Sequence, residues 1–231
     1  KISLQPKAKP AAGVTQALYP VPSTLKGALL VELLKGGSID DALVFTRTKH
    51  RADRLCKLLT RAGIAAERIH GNRSQAQRTK ALAGFKAGEF RVLVATDIAA
   101  RGIDVEALGH VVNFDVPLVP EDYIHRVGRT GRADLTGDAI TLVAPEEESD
   151  VARIERTVGA KVPRLRLEGF AYNAPAEGQL EVPLAERIAA IRARKSDDRK
   201  RAAANSARKV ANGDQRAPGS PRRRRFGSGR R

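Results

Sequence analysis

An α/β fold, one parallel sheet with helices packed on both faces, is predicted by three features of the sequence. Short apolar runs such as Ala42–Phe45 and Val92–Ala95 recur along the chain, with no polar alternation to mark a solvent-facing side. Stretches of helical period separate them, several stopped by glycine. The chemically conspicuous residues fall directly after apolar runs: Thr46-Arg47, His70-Gly71, Thr96-Asp97 and the turn from Asp115 towards Arg129. Ligands of parallel sheets gather at the carboxyl ends of the strands, so this placement agrees with the fold.

In order, residues 1–13 carry Pro6, Pro10, Ala and Lys and are expected to be a linker. Val14 to Val21 is expected to be a strand. Ser23 is the expected N-cap of a helix whose stripe is Leu25, Leu29, Leu30, Leu33 and Leu34, stopped at Gly36-Gly37. Strand Ala42–Phe45, helix Thr48–Ala62, strand Ala65–Ile69, helix Ser74–Ala87 and strand Arg91–Thr96 follow. Strand Val111–Phe114, helix Glu121–Arg129, strand Ala139–Val143 and helix Glu146–Val158 complete a domain expected over 14–168. Residues 169–195 read as a linker with a short amphipathic helix (Leu184, Ile188, Ile191). Residues 196–231, rich in Ala, Gly, Ser, Pro and Arg, read as a disordered basic tail.

The chain has 231 residues, 42% of them hydrophobic, enough for one substantial core. It contains no Met and begins with Lys, so it is expected to be a piece of a longer protein. The single Cys56 excludes an internal disulfide, fits a reducing, cytoplasmic setting, and falls among Ala52, Leu55 and Leu59 as a core residue. No apolar run is long enough for a membrane span, and no signal peptide is evident. The formal net charge is +16, of which residues 196–231 supply +9. An anionic partner is implied, nucleic acid before membrane, since the tail has no apolar anchor besides Phe226.

Two stretches carry the chemistry. One is Ala95-Thr96-Asp97-Ile98-Ala99-Ala100-Arg101-Gly102-Ile103-Asp104-Val105, and the other is His125-Arg126-Val127-Gly128-Arg129-Thr130-Gly131-Arg132. As a helix, the second puts His125, Arg129 and Arg132 on one face. Gly128 and Gly131 would each cost about 1 kcal/mol there, which suggests close approach of an anion to the backbone. Six fixed letters in eight arise by chance about once in ten million start positions. No G-x-x-x-x-G-K-[ST] and no strand-terminal acidic pair occurs, so a phosphate cradle and a metal-holding carboxylate are both missing. Taken singly, Asp104 fits a turn cap and His125 a satisfied core histidine. Asp97 is expected to brace its loop, while His50 and His110 show no partner in the sequence.

These two stretches resemble the last signature motifs of the DEAD-box RNA helicases, in their second RecA-like domain. The H-R-x-G-R-x-G-R order is closer to that branch than to other members of the superfamily. The resemblance implies that Arg129 and Arg132 act as arginine fingers on the phosphates of ATP, that Asp104 contacts the ribose, and that His125 couples the two domains. It also implies RNA-backbone contacts from Thr46, Arg47, Gly71, Gln75, Arg78, Thr96, Arg101 and Gly102. Mg²⁺ would be held chiefly by a first RecA-like domain outside this chain, and no metal site is expected here. Expected partners are RNA, that first domain, and ribosomal or RNA-decay assemblies; no membrane is expected. By itself the chain is expected to be inactive as an ATPase. Two alternatives stand beside this one: a non-enzymatic RNA-binding module, since Gly128-Arg129-Thr130-Gly131 matches the KH G-x-x-G loop, and a DNA translocase of the same superfamily.

Overall fold

A computed structural model describes residues 13–101, 108–131 and 136–174. The expected linker before Gly13, the Leu184–Ile191 stripe, the basic tail, and Gly102, Asp104 and Arg132 lie outside the described residues. Six strands, β1 (Val14–Pro20), β2 (Ala42–Phe45), β3 (Ala66–Ile69), β4 (Val92–Ala95), β5 (His110–Asn113) and β6 (Gly137–Val143), form one sheet in the order β1-β6-β5-β2-β4-β3. Every neighbouring pair is parallel. The helices are α1 (Lys26–Lys35), α2 (Lys49–Arg61), α3 (Gln75–Lys86), α4 (Asp97–Ala100), α5 (Pro120–Val127) and α6 (Glu148–Val158).

The strands lack polar alternation because both faces are covered. Ala42, Val44, Val92, Val94 and Val112 pack with Leu29, Leu30 and Leu33 of α1 and Leu55 and Leu59 of α2. Their neighbours Leu43, Phe45, Leu93, Ala95 and Val111 point the other way, towards Ala81 and Phe85 of α3. On that same side, Ala139 and Val143 of β6 meet Tyr123, Ile124 and Val127 of α5 and Val151 and Ile154 of α6. Cys56 is buried in the first cluster, and burial pushes its thiol above the ordinary range, as a core role requires.

From β2 the chain runs to the edge strand β3, returns to β4, and then crosses to β5 on the opposite side of β2. The strand order therefore reverses across β2, and a crevice is expected outside the carboxyl ends of β4, β2 and β5.

Four expectations change. Ser23 caps nothing: Pro22 precedes a 3₁₀ turn, Ser23–Leu25, that leads into α1 without a side-chain cap. The last helix likewise begins as a 3₁₀ turn, Pro145–Glu147. The short α4, set between two strands, was too brief to show a period. Helix α5 ends at Val127 with Gly128 as its C-cap, so Arg129 lies beyond the helix and the single helical face proposed for His125, Arg129 and Arg132 is not formed. In addition, Phe170 and Tyr172, at the start of the expected linker, pack against the first core.

Candidate functional site

The carboxyl ends of β2, β4 and β5 rest on a floor of buried charge. Arg126, on the inner side of α5, is only 3% exposed. Its Nε and Nη2 donate to the two carboxylate oxygens of Asp97 at 2.6 and 2.9 Å. Its Nη1 donates to Asn113 Oδ1 at 3.0 Å and to the carbonyl of Asp115 at 2.8 Å, and its guanidinium stacks 5.1 Å from the Phe45 ring centroid. A planar fork with several donors suits this bidentate and stacked position, and a lysine could not reproduce it. Asn113 passes the network on to Thr141 on β6. One side chain thus joins α5, α4 and the ends of β2 and β5.

A second network adjoins it. The buried Lys26 pairs with Glu147 and donates to the carbonyl of Phe114 at 3.0 Å. Burial pulls the Lys26 ammonium below its ordinary pKa, and Glu147 pulls the other way. Glu147 also accepts from the main-chain N–H of Ala144 and from Arg47. The fully buried Asp115 accepts from the N–H of Arg47 at 2.7 Å and from Arg51. These carboxylates fix the course of the chain as it leaves β2.

Above the floor is an open pocket of about 270 Å³, lined by Phe45, Asp97, Ala100, Arg101, Asp122, His125, Arg126 and Arg129. It brings Arg101, at the end of α4, together with His125 and Arg129, from the end of α5 and the residues just after it. His125 is exposed in the last turn of α5, which rules out the satisfied core histidine. Arg101, with its side chain 69% exposed, donates to Asp122 at 3.1 Å. Three cationic or protonatable groups around one concavity fit contact with a phosphate, although they form no complete nucleotide cradle.

The other expected residues form an edge beside this pocket. Thr46 is fully buried, side chain and main chain alike, so it lies beneath the edge and presents no surface to a ligand in this conformation. Arg47 is exposed, with its Nη2 3.1 Å from the Val116 carbonyl. Gly71 is exposed, and a Cβ there would meet nothing within 4 Å. Its loop is held by His70, whose Nε2 lies 3.1 Å from Asp53 and whose Nδ1 accepts from the N–H of Asn72. Gln75 is exposed at the start of α3, behind the Ser74–Gln77 capping box. Arg78 donates to the carbonyl of Ala99 at 3.0 Å, which ties α3 to α4 next to the partly exposed Thr96.

Two further expectations are corrected. Gly131 does adopt a positive φ, +67°, and does admit a close approach, but the approaching group is β1: a Cβ would lie 2.4 Å from Val14 Cγ2. Gly128 caps α5 with an ordinary negative φ of −68°, so the backbone there does not demand glycine. His110 does have partners, the Asp41 carbonyl at 3.1 Å and the carboxylates of Asp41 and Asp138 within 4 Å. The bracing role expected of Asp97 is present, with Arg126 as the partner. The sequence marks Asp115 only as the start of a conspicuous turn, and it gives Arg126, Asn113, Lys26 and Glu147 no role of their own. A signal existed for Lys26, which falls on the apolar stripe of α1 with Leu30 and Leu33, and for Arg126, three residues after Tyr123 on the buried face of α5.

A doubly covered parallel sheet, with arginines gathered where its strand order reverses, defines a RecA-like helicase domain, and residues 25–134 match the helicase conserved C-terminal domain. The chain is 33% identical to E. coli DEAD-box protein SrmB, solved bound to regulator of ribonuclease activity A, with a TM-score of 0.65 over 73% of this chain and all of that one. S. cerevisiae Dbp5 bound to RNA and ADP BeF3 is 29% identical with a TM-score of 0.65, covering 71% of this chain and 44% of that one. The DEAD-box ATP-dependent RNA helicase CshA of Bacillus subtilis is 45% identical over 165 residues, 71% of this chain and 33% of that protein. The chain belongs to the DEAD-box family, as its second RecA-like domain. It spans about a third of the length of the curated relatives it matches.

Proposed function

We propose that this chain is the C-terminal half of an ATP-dependent RNA helicase. The observation that carries this reading is the Arg126 fork. It binds Asp97, next to the RNA-facing Thr96, to the helix that ends at the pocket of His125 and Arg129. Movement at the RNA edge and movement at the nucleotide edge are then mechanically one event.

ATP bound between this domain and a first RecA-like domain would supply the phosphoryl group that is transferred to water. Arg129 and Arg132 would approach it across the closed cleft and neutralise the charge that builds during transfer, an effect worth ~10³–10⁵ in rate. Asp104 would hold the ribose hydroxyls, and His125 would report closure to the first domain, whose carboxylates would hold Mg²⁺. RNA would lie along the edge formed by Arg47, Gly71, Gln75, Arg78, Thr96, Arg101 and Gly102, above the buried Thr46. These contacts reach the sugar-phosphate backbone and are indifferent to sequence. Closure would bend one strand so that its partner leaves, and loss of the γ-phosphate would reopen the cleft. A cytoplasmic location fits the single, buried cysteine.

RNA-stimulated ATP hydrolysis by this chain alone, then mixed with an excess of a DEAD-box first domain, tests the proposal. Inactivity alone and activity in the mixture, abolished by Arg132→Ala, is the expected result. Activity of the chain alone would overturn the half-site, and RNA binding with no hydrolysis in either case would favour the non-enzymatic binding module.

A further inference from the structure

Helix α2 has two opposed faces. Ala52, Leu55, Cys56 and Leu59 are buried in the core. The outward face carries His50, Arg54, Lys57 and Arg61, at i, i+4, i+7 and i+11, which places them within about 60° of arc and over about 16 Å of helix. His50, Lys57 and Arg61 are exposed and Arg54 is half-buried. The one acidic residue of α2, Asp53, turns aside to Arg68 at 2.6 Å and His70 at 3.1 Å. Helix α6 is built differently: Glu148 and Asp150 stand among Arg153 and Arg156, and Asp150 pairs with Arg153. The stripe on α2 therefore has no comparable acidic complement on its own helix.

Its position matters as much as its charge. Helix α2 begins directly after Thr46-Arg47, and Lys49 Nζ donates to Asn72 Oδ1 at 3.0 Å, which joins the start of the stripe to the Gly71 loop. The stripe thus continues outward from the edge where RNA is proposed to lie.

We propose that the outer face of α2 is a second phosphate-backbone contact, which engages the part of an RNA that extends past the loop edge. The inference rests on the RNA-binding reading above. Residues 49–61 contain no Phe, Tyr or Trp, so beyond the single His50 ring the contact offers no stacking platform. It grips phosphate by charge, without base preference and with strong salt dependence.

The test compares two single-stranded RNAs, one of ~6 nucleotides that fills only the loop edge and one of ~24 that runs past it. Both are titrated into the 231-residue chain across a range of salt. Lys57→Gln with Arg61→Gln removes two exposed charges, and Arg153→Gln with Arg156→Gln on α6 removes the same number elsewhere. The α2 pair is expected to weaken the long RNA about fivefold or more at low salt and to reduce its log–log salt slope by about 1.4, at ~0.7 per neutralised phosphate. The short RNA and the α6 pair should show no such change. Equal losses on both RNAs, an equal slope change from the α6 pair, or no change on the long RNA would overturn the proposal. Failure of the parent chain to bind the short RNA would instead overturn the loop-edge reading, and the long-RNA comparison would still decide the stripe.

Discussion

Arg126 and Arg129 stand three positions apart in one signature and occupy opposite surroundings. Arg126 belongs to the floor, with donors committed to a carboxylate, a carboxamide and a carbonyl. Arg129 belongs to the rim, beside Arg101 and His125 on the pocket wall. The difference shows how one residue type serves two purposes. A guanidinium withdrawn from water is stable only while every partner is present, so it acts as a clamp. A guanidinium at a pocket wall keeps part of its hydration and can exchange it for a phosphate.

The most direct way to break this comparison is at the rim. In the reconstituted enzyme, Arg129→Ala is expected to lower RNA-stimulated ATP hydrolysis by ~10³ or more. Its melting temperature should fall by less than that of a floor variant, since Arg129 is half-buried where Arg126 is only 3% exposed. A fall in stability as large as that of a floor variant would erase the distinction.

At the floor the expected outcome is the reverse. Arg126→Ala leaves Asp97 without its partner and should destabilise the domain by about 3–5 kcal/mol, measured by urea unfolding. Arg126→Lys keeps the charge and loses the fork, so it should fall between the two. Gly137 sharpens the comparison further, because a Cβ there would lie 1.8 Å from Thr130 Oγ1 and 2.9 Å from the Gly131 nitrogen. Gly137→Ala should cost about 1–3 kcal/mol in chemical denaturation and displace Thr130, the residue next to Arg129.

The smallest effect concerns acid. Burial raises the Asp53 carboxyl, but hydrogen bonds from Arg68 and His70 outweigh it and hold the pKa below the ordinary range. Glu155 is similar: burial raises it, while Lys161, the Val162 N–H and Arg164 lower it further. A carboxyl depressed in the folded state contributes stability that is full above its unfolded pKa and is lost as pH falls through the folded value. Melting temperature should therefore drop as pH goes below the ordinary carboxylate range. Glu155→Gln should flatten that acid limb, and an unchanged limb would contradict the assignment.

The strands were legible because burial on both faces of a parallel sheet writes unbroken apolar runs, and β2, β4 and β5 fall within a residue or two of where those runs place them. The starts of α2 and α3, expected at Thr48 and Ser74, were legible to within a residue, because those two side chains cap the helices through local hydrogen bonds. The end of α5 was not, since glycines spaced among arginines read equally well as a tolerated interruption or as a stop. The partners of Asp97 and His110 were hidden for another reason: they come from segments far along the chain, and no local period encodes them.

The sequence by itself determined the alternation of strands and helices, the family signature, and the concentration of positive charge in residues 196–231. Each depends on residue type and short-range spacing. Only the tertiary structure decided which arginine is a clamp and which lines the pocket, what fills the space beside Gly131, and which carboxylates neutralise Lys26, Arg51 and Arg126. Those outcomes depend on the crossing of the chain over β2, which brings the ends of β2, β4 and β5 within hydrogen-bonding reach of α5. Burial then turns those contacts into an obligation, because a charge withdrawn from water must find its partner there.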